Sequence, residues 1–114
     1  MHTPGQATLL RIYTDENAVF GAHSLIDVII RRARDAHLAG ATVLRGRKGF
    51  GKAAHVHGHR DLGFDDNFPV VVEIIDEESR LRPFVSGLAD LNDIGLVTFE
   101  KVEVLRYGDG GVAP

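Results

Sequence analysis

Cysteine and tryptophan are absent from the 114 residues, methionine occurs once and proline four times. Without cysteine there can be no disulfide, no thiolate zinc site and no cysteine nucleophile, and the chain fits a reducing compartment. No apolar run approaches the roughly 20 residues that a membrane span requires. The longest, 25–30 and 70–72, are short, and the first is broken by Asp27. Residues 1–5 (Met-His-Thr-Pro-Gly) lack the basic start and apolar run of a secretory signal, so a cytoplasmic location is expected. The chain also lacks a surplus of bases. Its net charge of −3 argues against general nucleic-acid binding. No GxSxG, HExxH or Asp-rich metal pattern is present, and Asp65 beside Asp66 in a loop does not make an acid/base pair. An enzyme is not expected.

What is present is ordinary globular material: 44% apolar and 25% charged residues. The length suits a single domain over 1–114, with a structured core over about 8–107. Charge is separated along it. Arg45, Arg47, Lys48, Lys52 and Arg60 fall in a stretch, 45–60, that has no acid. The next stretch, 61–78, carries Asp61, Asp65, Asp66, Glu73, Asp76, Glu77 and Glu78 and no base. Bases set among glycines can hold an anion, and a pair of solvated loops has the same composition.

The first strand is predicted over 9–14, with Leu10 and Ile12 on one face. Leu25, Val28, Ile29, Ala33 and Ala36 then recur at helical spacing, with Ser24 as N-cap and Gly40 as the left-handed residue that ends the helix. A second strand is predicted over 41–47. A third, over 70–75, is nearly continuous in apolar residues, which predicts burial on both faces. Glu73 points away from Val72 and Ile74 and suits an ion pair between subunits. Leu81, Phe84, Val85 and Leu88 mark a second helix, capped by Asp76 with Glu77 and Glu78 in its first turn. Pro83 conflicts with that helix, because it lacks an amide and crowds the carbonyl of Ser79. The last strand is predicted over 95–107, with loose tails at 1–6 and 108–114.

The order is β-α-β-β-α-β. With right-handed crossovers this gives an α+β fold, the ferredoxin-like βαββαβ sandwich, a four-stranded antiparallel sheet with two helices on one face. The other sheet face then needs cover, which a homo-oligomer supplies. Between the second and third strands lies a long connection, 48–68, rich in glycine and histidine and without periodicity. Such a length in a small domain is functional or disordered, and 52–66 is expected to be poorly ordered without a ligand.

Ala39-Gly40-Ala41-Thr42-Val43-Leu44-Arg45-Gly46, running into Gly49-Phe50-Gly51, resembles the signature of a PII-like family of unknown function. Pro69-Val70-Val71-Val72-Glu73-Ile74-Ile75-Asp76 and Gly95-Leu96-Val97-Thr98-Phe99-Glu100-Lys101-Val102 are similar to two further strands of that family. The resemblance runs over about 9–107. It implies the fold just derived, a homotrimer, and a signalling or regulatory role. The 48–68 connection would be the T-loop, whose base binds a nucleotide between subunits and whose tip meets a partner. Family members are often encoded near a small membrane ion channel, so a channel or transporter is the implied partner.

By that resemblance Gly46, Arg47, Lys48, Gly49, Phe50 and Gly51 form a nucleotide- or anion-binding loop base, with Arg106 at the end of the last strand. Glycines let backbone amides approach a phosphate, and Arg47 and Lys48 add charge-assisted bonds. The cluster has neither Walker nor Rossmann spacing. PII proteins grip ATP with a lysine-bearing loop before the last strand. Here that loop is Asn92-Asp93-Ile94-Gly95, without a base, which favours a smaller adenine nucleotide.

His55, His57 and His59 alternate, so in an extended segment the three imidazoles share one side. With Asp61 nearby they can bind a divalent metal such as zinc, nickel or copper. A solvated loop whose histidines merely titrate has the same spacing. A metal-binding protein is therefore the alternative reading. His23 and His37 flank the first helix and are assigned structural roles.

Overall fold

Alternation along β1 (Gly5–Asp15) places the buried Thr8, Leu10, Ile12 and Thr14 on one face of the strand. The structure, a computed structural model, describes residues 5–47, 49–50, 56–57, 67–107 and 111–112. On one side β1 pairs with β7 (Pro69–Asp76), which sets Leu10 opposite Ile74 and Ile12 opposite Val72. On the other it pairs with β8 (Leu96–Val104), bringing Phe99 and Val97 opposite the same two residues. The short β4 (Thr42–Arg45) pairs with the outer side of β7. The order is β4-β7-β1-β8, and every neighbouring pair is antiparallel.

Both helices cover that one face. Leu25, Ile29 and Ala33 of α1 (Leu25–Asp35) and Leu81 and Phe84 of α2 (Glu78–Ser86) join Leu10, Ile12, Val72 and Ile74 in a common core. Each large apolar side chain fully removed from water there contributes about 1.5–3 kcal/mol. The expected ferredoxin-like α+β fold is the one found.

Several boundaries differ from expectation, each for a local reason. The first helix ends at Asp35, and Ala36 is an exposed C-cap rather than a core residue. The left-handed closing residue is His37 at φ 59°, not Gly40. The amides of His37 and Leu38 donate to the carbonyls of Arg34 and Ala33, which is a Schellman closure three residues early. Histidine tolerates this conformation better than most residues. Ser24 is the N-cap as expected, though without a side-chain bond to the helix. The N-cap of α2 is Glu77, one residue after Asp76, whose Oδ1 accepts the Glu77 amide at 2.6 Å. That helix continues through Pro83.

The loop after β1 contains a small hairpin, β2 (Val19–Phe20) with β3 (His23–Ser24). Arg32 ties this hairpin to the far helix. Its guanidinium lies 5.6 Å from the Phe20 ring centroid, donates to Asp90 at 2.8 and 2.9 Å, and reaches the Gly87 carbonyl at 3.0 Å. Those bonds hold the Asp90 carboxyl below the usual carboxylate range.

Within a single chain the third strand is covered on one face only. Val70, Val72 and Ile74 are buried, whereas Val71 and Glu73 are half-buried and Ile75 is exposed. The face away from the helices is built in rows. Leu44, Val71, Tyr13 and Leu96 stand opposite one another across all four strands. Two residues along lies a polar row of Thr42, Glu73, Arg11 and Thr98, and beyond it Ile75 stands beside Leu9 and Glu100. Glu73 meets a partner within its own chain: its Oε2 accepts from Arg11 Nε at 3.0 Å, while Arg11 Nη1 donates to Glu100 Oε1 at 2.9 Å. These bonds raise the Arg11 pKa, Glu73 contributing most.

Candidate functional site

The glycine cluster begins where β4 ends, and that point is held tightly. The Gly46 amide donates to the Pro69 carbonyl at 2.7 Å. A side chain at 46 would place its Cβ 2.9 Å from Pro69 Cγ, so the close approach of the two loop ends demands glycine. The turn after β1 braces the same point. Glu16 donates its amide to the Phe68 carbonyl at 2.8 Å, and the Asn17 amide donates to Asn67 Oδ1 at 2.9 Å. Arg45 Nε lies 3.2 Å from a Glu16 carboxylate oxygen, and its guanidinium stacks 4.1 Å from the Phe68 ring centroid.

Beyond this root, β5 (Gly49–Phe50) pairs with β6 (Val56–His57), setting Gly49 opposite His57 and Phe50 opposite Val56. Arg47 is exposed immediately after the root. Lys48, Gly51, His55 and His59 lie outside the described residues, as does most of 52–66. Among the described residues no cluster of metal-ligating side chains is found. None of the described helices is long and apolar enough to cross a membrane.

Arg106 lies elsewhere. It belongs to β9 (Arg106–Tyr107), part of the expected last strand, which pairs with β10 (Gly111–Val112) from the 108–114 segment expected to be a loose tail. Arg45 stands at the level of Val70 and so of Thr14, whereas Val104 stands at the level of Gly5. The strand from Gly5 to Thr14 spans roughly 30 Å, and β4 and β8 are opposite edges of the sheet. Within one chain, Gly46–Arg47 and Arg106 therefore occupy opposite corners. A site containing both needs two copies of the chain.

The turn 92–95 sits at the same end of the sheet as the loop root. Thr14 Oγ1 donates to the Asp93 carbonyl at 2.8 Å, and the Gly95 amide donates to the Tyr13 carbonyl at 2.8 Å. Sequence reasoning missed Glu16, Asn17, Asn67 and Phe68 as the brace of the root. The available signal was Asn67-Phe68-Pro69 before a strand, where proline holds the preceding residue extended.

Residues 7–104 match the DUF190 family, described as Uncharacterized ACR. The chain belongs to that family. A UPF0166 protein of Aquifex aeolicus (strain VF5) is 38% identical over 97 residues, which cover 85% of this chain and 91% of the relative. A second UPF0166 protein of that organism is 29% identical over 98 residues, covering 84% and 94%. Among solved structures, CPII from Thiomonas intermedia K12 bound to ADP, AMP and acetate aligns with a TM-score of 0.61 at 18% identity, over 89% of this chain and 90% of that one. The same protein bound to ADP and bicarbonate gives 0.60 at 18% identity, over 87% and 88%. The DUF190 chain thus shares the PII-like fold of CPII.

Proposed function

We propose that this DUF190 chain is a single-domain, non-enzymatic PII-like regulator that binds a small adenine nucleotide or anion between the subunits of a homotrimer. One copy supplies Gly46, Arg47, Lys48, Gly49, Phe50 and Gly51, and its neighbour supplies Arg106. The observation that carries this reading is the braced root at Gly46 and Pro69, set at the opposite corner from Arg106. A fixed root fits the base of a ligand-binding loop, and opposite corners fit a cleft completed by a second copy. The nucleotide-bound state of the CPII neighbours supports the ligand class.

Ligand binding would favour one arrangement of the 48–68 connection over others, by differential affinity, and so change the surface shown to a partner. The family resemblance makes that partner a membrane channel or transporter. Arg47 tests the site. Each charge-assisted bond to phosphate is worth about 1.5–3 kcal/mol when desolvated, so Arg47→Ala should weaken AMP or ADP binding roughly tenfold or more. Arg47 is exposed, so the melting temperature should stay nearly constant. His57→Ala should leave nucleotide affinity intact and remove any zinc binding. The reverse pattern, nucleotide affinity lost with His57→Ala and kept with Arg47→Ala, would move the site to the histidine end of the loop.

A further inference from the structure

The brace at the loop root contains more than a strut needs. Arg45, on the edge strand β4, stands level with Val70 and Thr14 on the helix-bearing face of the sheet. One face of its guanidinium lies over Phe68, 4.1 Å from the ring centroid, which is a stacked cation–π contact. Glu16 lies 3.2 Å from its Nε, so the positive charge is balanced and the plane is held in one orientation. The side chain is nevertheless 54% exposed, so much of the plane that does not rest on Phe68 meets solvent. A flat, oriented and charge-balanced group backed by an aromatic ring is a surface on which a further flat group can stack.

We propose that Arg45, backed by Phe68, is the platform on which the base of the bound nucleotide stacks, while Arg47 takes the phosphate. The division of roles follows from Glu16. A phosphate at Arg45 would face the Glu16 carboxylate, and like charges facing each other cost affinity. A neutral base meets no such penalty. Guanidinium is weakly hydrated and stacks readily on aromatic faces, so the base displaces little bound water from it. Arg47 differs: it is exposed and forms no ion pair among the described residues, so its charge is free for a phosphate. Only Gly46 separates the two, and two residues of chain span at most about 7 Å, so one mononucleotide can reach both side chains. The inference rests on the nucleotide reading above and adds which part of the ligand each side of Gly46 holds.

Two probes that differ only in the base test it. AMP and ribose 5-phosphate share the sugar and the phosphate, and NMR titration reads affinities for both down to the millimolar range. Arg45→Ala should weaken AMP binding roughly tenfold to a hundredfold, the worth of one stacked base, and ribose 5-phosphate binding far less. Arg45→Lys keeps the charge and loses the plane, so it should resemble alanine. Phe68→Leu keeps an apolar side chain beneath Arg45 but no ring, and should show a smaller loss confined to AMP. A purely structural role for Arg45 would weaken both probes alike. Equal losses for the two probes, or AMP affinity retained by Arg45→Lys, would overturn the platform and leave the nucleotide reading standing. A wild-type protein that binds neither AMP nor ribose 5-phosphate would overturn both together.

Discussion

Asp76→Ala is expected to remove about 3–5 kcal/mol of folding stability, the penalty for taking one partner from a buried charged network. The Asp76 side chain is fully buried, and it joins the end of one helix to the start of the other. Its Oδ2 accepts the Ala39 amide at 2.9 Å and its Oδ1 accepts the Glu77 amide at 2.6 Å. Arg80 Nη1 lies 3.5 Å from Oδ1, and Arg80 also donates to the carbonyls of Ala36 and His37 where the first helix closes. Alanine would remove the carboxylate oxygens that both amides donate to and the carboxylate beside Arg80. The melting temperature should fall by roughly 10–20 °C. Asp76→Asn keeps an acceptor and should cost less, about 1–3 kcal/mol. Urea unfolding of the three proteins checks this, and a loss below about 1 kcal/mol for alanine would mean that water replaces the carboxylate without penalty.

Gly46→Ala should act on binding more than on the core. The new Cβ would lie 2.9 Å from Pro69 Cγ, a ring atom that cannot rotate away, and the 2.7 Å bond from the Gly46 amide to the Pro69 carbonyl would be strained or lost. The cost of such overpacking is about 1–3 kcal/mol. Because β4 is a short, exposed edge strand, the distortion should concentrate at the loop root rather than in the sheet. If the root forms the base of the nucleotide site, affinity for AMP or ADP should fall by up to roughly a hundredfold. Pro69→Ala removes the offending ring atom, so the double variant Gly46→Ala/Pro69→Ala should recover much of the loss, and a double-mutant cycle would read that coupling. Purely additive losses would show that the close approach has no bearing on the site.

The sheet and both helices were legible because their apolar residues repeat at periods of 2 and 3.6 along the chain, as at Leu10 and Ile12 or Leu25 and Ile29. Such patterns depend on near neighbours alone. The closure of the first helix was misplaced because histidine takes the left-handed position at 37 three residues before the obvious glycine. Within a single chain the third strand is covered on one face only, because Ile75 faces the side away from the helices, and Val71 and Glu73 with it. Composition alone does not reveal which face a neighbouring helix covers. The Glu73 ion pair expected between subunits is met by Arg11, 62 residues away in the same chain. The loop root was half legible: glycine at 46 pointed to a close approach, but its bracing by Glu16 and Asn17 spans 50 residues or more and leaves no local pattern.

Calorimetric titration of the wild-type protein with AMP, ADP, ATP and zinc tests the nucleotide reading most directly. The expected result is saturable binding of AMP or ADP with one site per subunit, weaker binding of ATP for want of a base in the 92–95 turn, and a signal that disappears under conditions where the assembly dissociates. Saturable zinc binding with no heat from any adenine nucleotide would contradict it and turn the histidine segment into the functional site.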